Sequence, residues 1–104
     1  MGDRINLKLE YSSGQPIYFY SHWMGDSMPR VLAKALNRGK ERWDDDSYLA
    51  RIIFSELVRE DIDGLTGYGI APYETDPQNP TIVVNLKAHT VNDLSYSHWV
   101  RKFK

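Results

Sequence analysis

The chain reads as an α+β fold: one small domain of order β-β-α-α-β-β, with a four-stranded, mainly antiparallel sheet and two helices on one of its faces. Three observations predict it. Strand-like alternation occurs near both ends of the sequence, two helix-period stretches with capping residues lie between, and Gly- or Pro-containing turns separate the segments. At 104 residues the chain fits a single domain, with a core over about 4–91 and a basic C-terminal tail or short extra element over 92–104.

The first strand is Ile5-Asn6-Leu7-Lys8-Leu9-Glu10-Tyr11, where apolar and polar residues alternate with period two. Ser12 to Pro16 is turn chemistry, and Ile17-Tyr18-Phe19-Tyr20-Ser21-His22-Trp23 follows as a second, aromatic-rich strand of a hairpin. With Ile17, Phe19 and Trp23 facing the core, Tyr18, Tyr20 and His22 point to the other side. Asp26 or Ser27 can cap a first helix over Met28 to Arg38, with Pro29 tolerated in its first turn and Val31, Leu32, Ala35 and Leu36 on one side. Gly39 stops it.

Asp44-Asp45-Asp46-Ser47 supplies carboxylates to cap a second helix running to about Arg59. Leu49, Ile52, Ile53 and Leu57 form its apolar stripe, and Arg51, Glu56 and Arg59 project elsewhere. Thr66 to Tyr73 is the third strand; its two glycines imply a bulge or a close approach, and Pro72 places it at an edge or a strand end. Thr81 to Leu86 is the fourth strand. The tetrapeptide Tyr-Ser-His-Trp occurs twice, at 20–23 and 96–99, but the flanking residues do not match and no wider repeat accompanies it.

Composition narrows the function classes. Hydrophobic residues make up 41% and charged residues 26%, no apolar run is long enough for a transmembrane helix, and no membrane partner is expected. The opening Met-Gly-Asp-Arg lacks the apolar segment of a secretory signal and there is no cysteine, so the expectation is the cytosol. Thirteen basic residues against fourteen acidic leave no chain-wide positive field, and non-specific DNA binding is not expected. His22, His89 and His98 sit in no helical metal spacing, no hydrolase or phosphate-loop motif is present, and Gly67-Tyr68-Gly69 is a lone G-x-G. No cofactor, metal or catalytic set is therefore assigned.

What stands out is a set of aromatic, histidine and arginine residues outside the core stripes: Tyr20, His22, Trp23, Arg42, Trp43, Tyr48, Arg51, Tyr68 and Tyr73. Aromatic faces stack on bases and arginine grips phosphate, so His22, Trp23, Arg42, Trp43, Tyr48, Arg51 and Tyr68 are the candidate ligand-binding residues, for a small anionic, nucleotide-like ligand. Each also has a structural alternative: Trp43 stapling the inter-helix turn, Trp23 in the core, the tyrosines covering the sheet. The same residue types suit an oligomer interface, and a homo-oligomer is expected.

The stretch Arg42-Trp43-Asp44-Asp45-Asp46-Ser47-Tyr48-Leu49-Ala50-Arg51-Ile52-Ile53-Phe54, with Thr66-Gly67-Tyr68-Gly69-Ile70, resembles small proteins carried by phages and prophages. The resemblance covers roughly residues 17 to 91, includes Ser21-His22-Trp23 and leaves out the basic tail. It implies a setting and no catalytic residue: such proteins act in the host bacterial cytosol by binding a host factor, and one class sequesters nucleotide signals of bacterial immunity. The sequence-level expectation is a non-enzymatic anti-defence binder of that kind. Its rivals are an inhibitor that binds a host defence or regulatory protein and a small hydrolase working through His22 or His89.

Overall fold

A computed structural model describes residues 2–104. Its strands are β1 (Ile5–Glu10), β2 (Ile17–Ser21), β3 (Tyr68–Ala71), β4 (Ile82–Asn85), β5 (Thr90–Val91) and β6 (Leu94–Ser95). Its helices are α1 (Met28–Arg38), α2 (Asp46–Leu57) and α3 (Tyr96–Lys102), with a 3₁₀ turn at Lys40–Arg42. The α+β class holds, and two details differ from the sequence-based expectation. Among the described residues the sheet has six strands and the helices number three, while residues 92–104, left open as a tail or a short extra element, contain β6 and α3.

Strand order is β3-β2-β1-β4-β5-β6, antiparallel throughout except for the parallel β1–β4 pair. Alternation in β1 sends Ile5, Leu7 and Leu9 into the core, and the register sets Leu7 against Phe19 on one side and Ile82 on the other. Leu32 and Leu36 of α1, Leu49, Ile53 and Leu57 of α2, and Tyr96 and Trp99 of α3 complete one continuous core. Burial of each such side chain stabilises by roughly 1.5–3 kcal/mol. The helices thus gather over one sheet face.

The opposite face is crossed by the chain linking β3 to β4, which must pass β2 and β1 without a helix to carry it. Asn6 makes this possible. Fully buried, it donates Nδ2–H to the Thr75 carbonyl at 3.0 Å and accepts the Thr75 N–H at 3.1 Å, pairing with the segment as another strand would. Asn79 repeats the device, donating to Arg4 O and to Asp3 Oδ1.

The missed elements have a local cause. β5 and β6 are two residues each, too short to show a period, and they are joined by Asn92 and Asp93 with φ of 47° and 73°. Two consecutive left-handed residues make the tight hairpin turn that matches strand twist. Ser95 then caps α3, its hydroxyl accepting the His98 N–H at 3.1 Å.

Candidate functional site

The seven residues singled out from the sequence fall into two groups. The first lies where β2 meets β3. β2 ends at Ser21, whose Oγ accepts the Trp23 N–H at 3.3 Å, so Trp23 turns out of the strand and is 52% exposed instead of entering the core. Tyr20 and His22 share a hydrogen bond between the hydroxyl and Nδ1 at 2.9 Å. From His22 the rings continue edge-to-face, to Trp23 at 5.5 Å and on to Tyr68 at 5.9 Å. Gly67 makes room: its φ is +94°, and the Trp23 ring occupies the space a Cβ would need. The approach is that of a side chain, and it concerns Gly67 alone, since Gly69 has nothing within 4 Å of a Cβ.

The second group surrounds the start of α2. Asp45 caps that helix by accepting the Tyr48 N–H at 3.2 Å. Arg42 lies over the Tyr48 ring at 5.3 Å, and Arg51 is exposed one turn further along. Trp43 is structural: its indole N–H donates to the Leu36 carbonyl at 2.9 Å, and its ring packs on Tyr96. A twelve-residue helix is ~18 Å long, and Tyr68 neighbours its far end. The two groups therefore do not meet within one chain.

A groove the sequence did not announce begins at Tyr68. α1 packs between α2 and α3, so its outer side forms a trough walled by the C-terminal ends of both neighbours. The cavity measures about 570 Å³, within the range of small-molecule sites. Met24, Val31, Leu57, Val100 and Phe103 give it an apolar lining. Arg30, Lys34, Arg59 and Lys104 set four cations around it, against the two carboxylates Glu56 and Glu60.

Arg59 is held in place from below. The Glu56 side chain, only 3% exposed, accepts Arg59 Nε–H on one oxygen at 3.0 Å and Arg59 Nη2–H on the other at 2.9 Å. Arg38 donates to the same carboxylate at 3.0 Å from α1. These bonds, led by that of Arg59 and opposed in part by burial, hold the Glu56 carboxyl below its usual range. The fork takes two of the five N–H donors of Arg59 and leaves three, on a half-exposed guanidinium, for an anion. Tyr68, at the groove edge, has its hydroxyl pushed above the ordinary tyrosine range by burial, with Asp61 and Glu60 adding to it.

Sequence reasoning placed Glu56 on an outward face and passed over Arg30, Lys34 and Arg59. The available signals were Arg30 and Lys34 at i, i+4 on the polar side of α1 and Glu56 with Arg59 at i, i+3. Neither spacing shows that the buried carboxylate also receives Arg38 from another helix. Among the described residues no serine hydroxyl bonds a histidine ring, and no His, Asp and Glu cluster has the makings of a metal centre. His89 lies 3.4 Å from Asp44, on the far side from the groove lining. No helix among those residues is long and apolar enough to cross a membrane. Comparison with family models, curated proteins and solved structures finds no match.

Proposed function

We propose that the chain is a non-enzymatic binding protein that sequesters a small anionic ligand of the nucleotide class in the groove between α1, α2 and α3. The observation that carries this reading is the pairing of an apolar trough with a fixed arginine: the lining accepts a planar body, while Arg59, Arg30 and Lys34 face its phosphates. In this reading Arg59 and Arg30 take the phosphate role expected from the sequence of Arg42 and Arg51, and Tyr68 and Phe103 offer stacking surfaces. The resemblance to phage-carried proteins supplies a setting, the capture of a nucleotide signal of host immunity in the bacterial cytosol.

Native mass spectrometry with linear, cyclic and ADP-ribose-derived nucleotides tests it, because it reports ligand mass and stoichiometry together. The expected result is an unmodified nucleotide retained at fixed stoichiometry, with Arg59→Ala weakening binding on the order of tenfold or more and Arg51→Ala leaving it unchanged. A protein that ignores the whole panel, or binds equally well without Arg59 and Arg30, overturns the reading. Capture of a host protein with no small ligand would then favour the inhibitor.

A further inference from the structure

β3 is an edge strand, with β2 on one side and no strand on the other among the described residues. The His22 N–H donates to the Gly67 carbonyl at 2.8 Å. Alternation along an antiparallel ladder therefore turns the backbone groups of Gly67, Gly69 and Ala71 toward β2 and leaves those of Tyr68 and Ile70 pointing outward. The strand Tyr68-Gly69-Ile70-Ala71 carries no charge and no proline, the usual guards of an open edge. Around it stand large exposed apolar side chains: Ile70 at 59%, Tyr73 at 64% and Leu65 at 99%, with Trp23 packed beside Tyr68.

We propose that this edge binds a second copy of the chain, β3 against β3, antiparallel about a twofold axis through Gly69. The register is what selects this occupant. Centring on Gly69 sets Tyr68 opposite Ile70 of the second copy, both on the helix-bearing face, and lets their outward N–H and C=O groups exchange four hydrogen bonds. All four residues of the strand are uncharged, so pairing it with itself opposes no like charges. Pro72 has no N–H to give and ends the ladder there. The exposed parts of Trp23, Leu65, Ile70 and Tyr73 amount to several hundred Å² on each copy, the scale of the ~800 Å² per partner that a standard interface covers. Because Tyr68 also lines the groove, Ile70 of the second copy borders the ligand site.

This interface is independent of the nucleotide reading and is tested without ligand. Sedimentation velocity should show a dimer, and Ile70→Lys, at an exposed position, should weaken it at least about tenfold while leaving the far-ultraviolet circular dichroism unchanged. The chain has no cysteine, and a Cβ at Gly69 meets nothing within 4 Å, so Gly69→Cys places one thiol beside the axis. Residues opposed in a non-hydrogen-bonded pair lie ~4.5 Å apart, within disulfide reach. Mild oxidation of Gly69→Cys should give a covalent dimer, and Ile62→Cys, exposed but off the axis, should not. A wild-type monomer at tens of micromolar, a dimer unmoved by Ile70→Lys, or a Gly69→Cys chain that stays unlinked overturns the proposal.

Discussion

The same four residues, Tyr-Ser-His-Trp, end a strand at 20–23 and open a helix at 96–99, and their side chains meet opposite fates. In the strand, neighbours alternate: Ser21 is buried, Tyr20 and His22 lie half-buried on the other face, and Trp23 turns out toward solvent. In the helix, positions i and i+3 share a side: Tyr96 and Trp99 are almost fully buried, while Ser97 and His98 are exposed. The tryptophan that sits at the rim of the sheet in one copy is a core anchor in the other. What decides is the period of the local backbone and what the next element offers, and the tetrapeptide itself decides nothing.

The largest expected effect comes from breaking the helical copy. Trp99 is 4% exposed, its N–H donates to the Pro29 carbonyl at 3.1 Å, and its ring lies tilted against Phe103 at 4.4 Å, so this side chain anchors α3 to the segment that opens α1. Trp99→Ala should cost about 3–5 kcal/mol in urea denaturation, against about 1 kcal/mol for Trp23→Ala. Equal losses would mean that the two contexts differ less than their burial suggests.

Next is the seat of the strand copy. Gly67→Ala forces a side chain into a left-handed backbone position and into the Trp23 ring, and should destabilise by about 2 kcal/mol. In Gly67→Ala combined with Trp23→Ala the collision disappears and only the backbone strain remains, so the double variant should lose less than the two single losses together. Strict additivity would show that Trp23 does not rest on Gly67.

Much of this fold was legible before the structure. α1 has the bounds expected of it, although Ser27 at its N-cap makes no side-chain capping bond, and Pro72 does mark the end of an edge strand. The parallel β1–β4 pairing was not legible, because it depends on Asn6 receiving a loop from nearly seventy residues away, and nothing in an alternating strand distinguishes that asparagine from a solvated one. The candidate site was less legible still. Of the seven residues that the sequence singles out only Tyr68 lines the groove, which is made where three helices meet, and α3 opens with the same four letters found at the end of β2.

Between the two copies stands Glu56, a charge buried because its partners come with it, and it sharpens the contrast by pH. Its carboxyl titrates below the ordinary value of 4.5, so its contribution to stability is full above that pH and is lost as pH falls through the lowered folded value. Glu56→Gln should cost about 1–2 kcal/mol at pH 7, less than a fully buried pair because both guanidiniums are partly solvated. The gap between wild type and variant should close as the buffer is taken from pH 5 toward pH 3, with urea midpoints as the readout. A gap independent of pH would assign the loss to packing rather than to the ion pair.

The smallest expected effect compares the histidines. His98 is exposed and engages Ser95 only through its backbone N–H, so His98→Ala should change stability by no more than about 0.5 kcal/mol. His22 accepts or donates one hydrogen bond with Tyr20 and meets the Trp23 ring edge-on, so His22→Ala should cost about 1 kcal/mol, with Tyr20→Phe recovering little of it in the double variant. Should His22→Ala prove as silent as His98→Ala, the aromatic ladder would be a set of adjacent rings without mutual support, and Trp23 would be held by Gly67 and Tyr68 alone.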